Sequence, residues 1–241
     1  MVRLFIDFDG TNTRDDVGNL FFRTFGGPAC DDLVGRYRAG ELSAAGLFRA
    51  EAAAVGALDL NAFRDFLNEQ ETDPGFPRLL EFCRGRGIDL CVVSDGLDLI
   101  IAAVLERLGC AGVPRVSNRL VLEGGGPTGR SPLRLEFPHS DAVCDRCACC
   151  KRNVLLMRSA DEDVIVYVGD GYSDRCPAQY ADLVFAKGDL QTHCREQNIS
   201  YLVYRSLDDV QRRLERLLDG GGLKRRRQAM LRRRAVFAAE P

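Results

Sequence analysis

Three short apolar runs constrain this chain more than any other feature. Val2–Asp7, Ile88–Val93 and Val164–Val168 each read as a buried strand, and each runs straight into polar punctuation: Asp7-Phe8-Asp9-Gly10-Thr11, Ser94-Asp95-Gly96 and Gly169-Asp170-Gly171. The runs are apolar on both faces apart from Arg3, so each strand should be covered from both sides. Helical texture separates them, and Leu183–Ala186 and Tyr201–Tyr204 repeat the pattern further on. Strands alternating with helices imply right-handed crossovers. The expected fold class is therefore α/β, with a Rossmann-like parallel sheet and helices on both faces. In such sheets ligands sit beyond the carboxyl ends of the strands, so the three polar clusters should converge on one edge.

Two segments depart from the alternation. Residues 16–72 carry helical spacing around Leu20, Phe21, Phe22, Phe25, Leu47, Phe48, Phe63 and Phe66, with no convincing strand. They read as an insertion of three or four short helices closed by Pro74-Gly75-Phe76-Pro77. Arg115–Glu123 and Leu133–Phe137 alternate like a hairpin or flap around Gly124-Gly125-Gly126-Pro127. The expected organisation is a core of residues 1–14 and 74–218, a helical cap of residues 15–73 inserted after the first strand, and a basic tail of residues 219–241.

Composition narrows the function classes. Of 241 residues 46% are hydrophobic and 28% charged, which is globular rather than disordered. No apolar run approaches ~18 residues, so no membrane association is expected. The N-terminus has no signal-peptide pattern, and a cytoplasmic location is the expectation. The net charge of -2 argues neither for nor against nucleic acid, and no nucleic-acid partner is expected. Residues 224–241 are locally basic and could touch phosphates or acidic surfaces, but the expectation is a solvated helix end, with the chain after Gly222 disordered in solution. Lysine occurs only at Lys151, Lys187 and Lys224, so a retained lysine can mark a site that needs a compact ammonium.

The converging edge has a definite chemistry. Asp7, Asp9, Asp170 and Asp174 repel one another unless a cation binds, and hard oxygen ligands suit Mg²⁺. Ser94 adds a hydroxyl with turn amides around it, and Lys151 adds a positive charge. Together these describe a phosphoryl-binding pocket with a carboxylate free to attack phosphorus.

These motifs, Asp7-Phe8-Asp9-Gly10-Thr11, Ser94, Lys151 and Gly169-Asp170-Gly171-Tyr172-Ser173-Asp174, resemble the four motifs of the haloacid dehalogenase superfamily of phosphohydrolases. The insertion after the first motif resembles the cap of its phosphoserine-phosphatase-like branch. Within that branch, Cys147-Ala148-Cys149-Cys150-Lys151 and Ala181-Asp182-Leu183-Val184-Phe185-Ala186 are similar to the methionine-salvage phosphatases that act on 2-hydroxy-3-keto-5-methylthiopentenyl-1-phosphate. The resemblance implies an Mg²⁺-dependent phosphatase of a small phosphorylated metabolite. Asp7 would be the nucleophile that becomes an aspartyl-phosphate, and Asp9 the acid and then the base. Asp7, the main-chain carbonyl of Asp9 and Asp170 would hold the metal, with Asp174 steadying it from behind or through water. Ser94 and Lys151 would hold the phosphoryl oxygens. Asp16 stands where phosphoserine phosphatases carry a Glu that reads the substrate's amino group; a helix N-terminal acid is its structural alternative. Asn12 and Ser173 depart from the branch's usual residues.

Phosphoserine or amino-alcohol phosphates are the alternative substrates, and a non-catalytic phosphate-binding regulator is the alternative class. With His139 and His193 as the only histidines and no nucleophile elbow at Ser94, a serine hydrolase is excluded. No dinucleotide fingerprint follows the first strand. Cys144, Cys147, Cys149 and Cys150 could hold a structural Zn²⁺, shape the loop before Lys151, or act as a redox switch. Arg36, Arg38 and Arg49 could meet a substrate carboxylate or be solvated. Oligomeric state is open.

Overall fold

The computed structural model describes residues 1–124, 129–144 and 146–238. In chain order the elements are β1 Val2–Ile6, α1 Val17–Gly26, α2 Ala29–Arg38, α3 Ala44–Val55, β2 Ala57–Asp59, α4 Leu60–Glu69, α5 Phe76–Gly85, β3 Asp89–Leu97 and α6 Asp98–Arg107. Then follow β4 Arg115–Leu122, β5 Arg130–Glu136, α7 Lys151–Met157, β6 Val164–Gly169, α8 Arg175–Ala178, β7 Leu183–Ala186, α9 Gly188–Glu196, β8 Tyr201–Val203, α10 Leu207–Asp219 and α11 Arg227–Ala238.

One eight-stranded sheet runs in the order β2-β5-β4-β3-β1-β6-β7-β8. The six strands from β4 to β8 through β1 are parallel, whereas β5 and β2 join antiparallel at one edge. The sheet is thus mixed. The hairpin of β4 and β5 is part of it, because β4 also pairs with β3. The loop at Gly125-Gly126-Pro127 lies outside the described residues.

Alternation along β1 explains the layers. Leu4 and Ile6 face a cluster completed by Phe76 and Leu79 of α5, Val104 of α6 and Leu214 of α10. Phe5 faces the opposite cluster, with Leu155 of α7, Ala178 of α8 and Leu190 of α9. Each such buried side chain contributes roughly 1.5–3 kcal/mol, which is why the central strands carry almost no polar residue before their ends.

Helices α1–α4 pack around edge-to-face phenylalanines, with Phe21 and Phe63 centroids 5.4 Å apart. Asp16, Ser43 and Asp59 cap three of them by accepting from Asn19, Gly46 and Asn61 amides. The segment also holds a strand that its spacing did not suggest: β2 pairs with β5 through Leu58 and Ser131. Three residues are too few to show a period of two. The aromatic cluster also takes in Leu97, Ile100 and Leu120 from β3, α6 and β4.

The basic tail corrects the expectation of a solvated end. Arg233 of α11 is 7% exposed and grips both oxygens of buried Asp182 at 3.1 Å, while also donating to the Tyr180 carbonyl. Arg226 donates to the carbonyls of Ala178 and Gln179, and its amide to Asp182. A buried carboxylate needs a partner, and two arginines from a segment distant in sequence supply it.

Candidate active site

The carboxyl ends of β1, β3 and β6 meet as the strand pattern requires. The Asp7 amide donates to the Val168 carbonyl at 2.9 Å, which keeps Asp7 in register with β6. Its Oδ1 accepts from the Phe8 amide and from Lys151 Nζ, both at 2.7 Å. Beyond it the chain turns through Gly10 at φ +70°, where a Cβ would stand 2.5 Å from Asp170 Oδ2; only glycine lets the two loops close. Thr11 donates to Asp170 Oδ1 at 2.6 Å and fixes that carboxylate.

Asp9 points back toward the cap. Its Oδ1 accepts from the Gly18 amide of α1 at 3.1 Å and its Oδ2 from Ser94 Oγ at 3.2 Å. Ser94 itself is fully buried, and its Oγ accepts from the Gly96 amide at 2.8 Å. The sequence suggested a turn at Ser94-Asp95-Gly96. The structure runs β3 through these residues, with the irregularity appearing as a register shift against β4 between Val93 and Leu97.

Lys151 begins α7 and is 1% exposed. Nζ reaches Asp7 Oδ1 and Asp174 Oδ1 at 2.7 Å and Ser173 Oγ at 2.9 Å, so all three donors are used. Burial opposes its charge, but the carboxylates of Asp174 and Asp7 overcome that and hold its pKa well above the ordinary lysine range. Asp174 accepts four hydrogen bonds: from Lys151 and the Tyr167 hydroxyl on Oδ1, and from the Asp170 and Gly171 amides on Oδ2. Its pKa is lowered because Lys151 and these donors outweigh its own burial.

The other carboxyls show a shortage of positive charge. Burial and then the Asp174 charge push Asp7 well above its usual range. Burial, then Asp16, pushes Asp9 to about 7, and burial, then Asp174, pushes Asp170 to about 6. Ligand oxygens of Asp7, Asp170 and Asp174 lie within 4.8 Å of one another. One lysine cannot balance these groups, and clustered hard oxygens are a donor set that fits a divalent cation.

The cysteines do not form a comparable group: among the described residues no other set of three His, Cys, Asp or Glu gathers its ligand atoms this closely. The zinc expectation at Cys144, Cys147, Cys149 and Cys150 therefore has no support. Cys149 is turned into the apolar cluster under the sheet, and all ten cysteines are free thiols. The segment instead serves the loop before Lys151. Asp95 Oδ1 accepts from the Ala148 and Cys149 amides at 2.9 and 2.7 Å and from Asn118 Nδ2 at 3.3 Å.

Asp95 was placed on the converging edge by the sequence but given no role, and Asn118 and Tyr167 were not singled out. A polar Asn within strand-like residues 115–123 and a Tyr within the apolar run 164–168 were the available signals. Asn12 is fully buried with both side-chain polar atoms unpartnered among the described residues.

A cavity of about 520 Å³ opens above this edge, with Asp7, Asp9 and Asp170 in its floor and α1–α3 in its roof. Asp16 caps α1 through the Asn19 amide and also lines the cavity. Arg38 stands in the cavity wall, whereas Arg36 pairs with Glu41 and Arg49 stacks on Phe137. Tyr37 ties roof to floor: its hydroxyl donates to the Arg146 carbonyl at 2.6 Å, and its ring meets Tyr172 edge-on.

Compared with known proteins, residues 4–179 match the family of haloacid dehalogenase-like hydrolases. The chain belongs to that family. Among curated members it is 28% identical over 216 residues to the 2-hydroxy-3-keto-5-methylthiopentenyl-1-phosphate phosphatase of Exiguobacterium sibiricum, covering 87% of this chain and 94% of that one. It is 26% identical over 221 residues to the same-named enzyme of Bacillus cereus, covering 90% and 98%. Among solved structures, a substrate-bound phosphoserine phosphatase superposes with TM-score 0.65 at 17% identity, over 88% of this chain and 97% of that one. The phosphoserine phosphatase of T. onnurineus gives 0.63 at 18%, over 89% and 94%. No helix among the described residues is long and apolar enough to cross a membrane.

Proposed function

We propose that this haloacid dehalogenase-like hydrolase is a phosphoric monoester hydrolase that works through an aspartyl-phosphate, with 2-hydroxy-3-keto-5-methylthiopentenyl-1-phosphate as its substrate. The observation that carries the reaction is the state of Asp7. Its Oδ1 is held by the Phe8 amide and Lys151, while no hydrogen bond to Oδ2 is made by any described residue. That oxygen is the nucleophile, presented at the cavity floor by a rigid strand end. The substrate name rests on the curated relatives, which match nearly end to end.

Asp7 Oδ2 attacks phosphorus as the bond to the ester oxygen breaks. Asp9, kept partly protonated by its burial and by Asp16, gives its proton to the departing alkoxide. Asp9 then takes a proton from water, the water attacks the phosphorus of the acyl phosphate, and the Asp7 carboxylate is regenerated with release of phosphate. Lys151 balances Asp7; to hold the phosphoryl oxygens it gives up its hydrogen bond to Ser173, and the Ser94 hydroxyl gives up its hydrogen bond to Asp9. Asp174 aims Lys151. Asp7, Asp170 and the main-chain carbonyl of Asp9 would hold Mg²⁺, which when bound neutralises the charge of the phosphate dianion and the carboxylates.

The test is phosphate release from the keto ester and from p-nitrophenyl phosphate, with Mg²⁺ or with EDTA. Release requires Mg²⁺, and Asp7→Asn lowers it on the order of ten-thousandfold. An Asp7→Asn variant at the wild-type rate, or a wild type that releases phosphate from neither ester, overturns the reading.

A further inference from the structure

The cavity roof holds one buried acid that the reaction does not use. Glu51 of α3 is 3% exposed and lines the cavity. It makes no hydrogen bond and no ion pair with any described residue. Phe22, Leu47 and Phe48 line the same cavity and offer it no polar group, and Asp16, Asn19, Tyr37 and Arg38 are the other polar side chains of the roof lining. A carboxylate in such a place, without a partner, is far costlier than a carboxylic acid. Burial first, and the nearby Asp16 charge second, push Glu51 to about 8. At neutral pH it therefore carries an O–H donor facing the cavity with nothing to donate to.

We propose that Glu51 is a specificity residue: its carboxylic acid donates a hydrogen bond to a keto or hydroxyl oxygen of an uncharged substrate moiety, whose apolar end rests on Phe22, Leu47 and Phe48. The inference rests on the phosphatase reading and names what the roof selects. A substrate carboxylate placed at Glu51 would meet the Asp16 charge, which disfavours it there. A substrate ammonium would be drawn to Asp16, which shares the lining, and would leave the Glu51 O–H without an acceptor. An oxygen-bearing chain that ends in an alkyl or thioether group needs one donor and an apolar surface, which is what the roof presents.

The experiment compares kcat/KM of the wild type, Glu51→Gln and Glu51→Leu in Mg²⁺ on four esters: the 2-hydroxy-3-keto ester, n-pentyl phosphate, phosphoserine and phosphoethanolamine. The wild type prefers the keto ester over both amino esters by about a hundredfold or more. Gln retains a donor and stays within about threefold of wild type on the keto ester. Leu falls about tenfold or more there, carried by KM, because the oxygen loses the Glu51 donor. On n-pentyl phosphate, which has no such oxygen, Gln and Leu turn over alike, which shows that both variants are folded. Preference for phosphoethanolamine or phosphoserine with Gln as damaging as Leu makes Glu51 an anion for an ammonium and overturns the inference. So does a Leu variant within twofold of wild type on the keto ester. Both outcomes leave the phosphatase reading standing, whereas a wild type inert on all four esters overturns that reading too.

Discussion

On the cavity floor, Asp7 and Asp174 each lie 2.7 Å from the same lysine nitrogen, and Asp174 accepts from two amides and a tyrosine as well. In the roof, Glu51 is as deeply buried and meets no partner among the described residues. The floor pairs Asp7 and Asp174 with one lysine, so these groups are held in place before a phosphate arrives, while its remaining negative charge is left for a cation. The roof leaves a polar group unsatisfied, and satisfaction has to come from what enters. Chemistry common to any phosphomonoester needs the first arrangement, and discrimination between organic groups benefits from the second.

Replacing the lysine should break the floor. Lys151→Met leaves Asp7 and Asp174 buried without a counter-charge, a loss of about 3–5 kcal/mol by denaturant unfolding. Phosphate release from p-nitrophenyl phosphate should fall by a hundredfold or more under conditions where the variant is still folded. A variant of wild-type stability would mean that Lys151 does not hold the Asp7 and Asp174 pair.

The roof should respond in the opposite direction. Glu51 holds its proton up to about pH 8 when folded, against an ordinary glutamate in the unfolded chain. Between these values the unfolded state is the one that has released the proton. Stability from this group is thus present at acid pH and drains away as pH rises from about 4.5 to about 8. Glu51→Gln removes the titration. Its melting temperature should exceed that of the wild type at pH 8 by several degrees, a difference on the order of 3 kcal/mol, and the gap should close toward pH 4. Asp16 is the titratable group whose charge is felt at Glu51, and Glu51 in turn helps to raise Cys30 after its burial. A gap independent of pH would show that Glu51 is ionised.

The smallest effect belongs to the tie between the two halves. Tyr37→Phe removes the hydrogen bond to the Arg146 carbonyl but keeps the ring against Tyr172. A loss of about 0.5–1 kcal/mol corresponds to a rise in KM of roughly two- to fivefold with kcat unchanged. A larger fall in kcat would mean that the tie governs the floor as well.

The floor was legible because strand ends are local. Asp7, Asp9, Ser94, Asp170 and Asp174 each follow an apolar run by no more than a few residues, and parallel pairing brings such positions together without further information. Lys151 was marked by the rarity of lysine in this chain. The roles of Asp95, Asn118 and Tyr167 were not legible, since each depends on a partner more than a turn away: residues 148–149, Asp95 and Asp174. β2 was hidden by its length, and the docking of the tail by the distance between Arg233 and Asp182.

By itself, the sequence determined the α/β alternation, the converging acidic edge and the class of chemistry there, because a period of two, a strand end and a carboxylate are properties of residues close in the chain. Only the tertiary structure decided which carboxyls are paired and which are left waiting. Whether a buried acid meets a lysine, as Asp174 does, or an apolar wall, as Glu51 does, is a matter of desolvation and of neighbours contributed by elements far away in sequence.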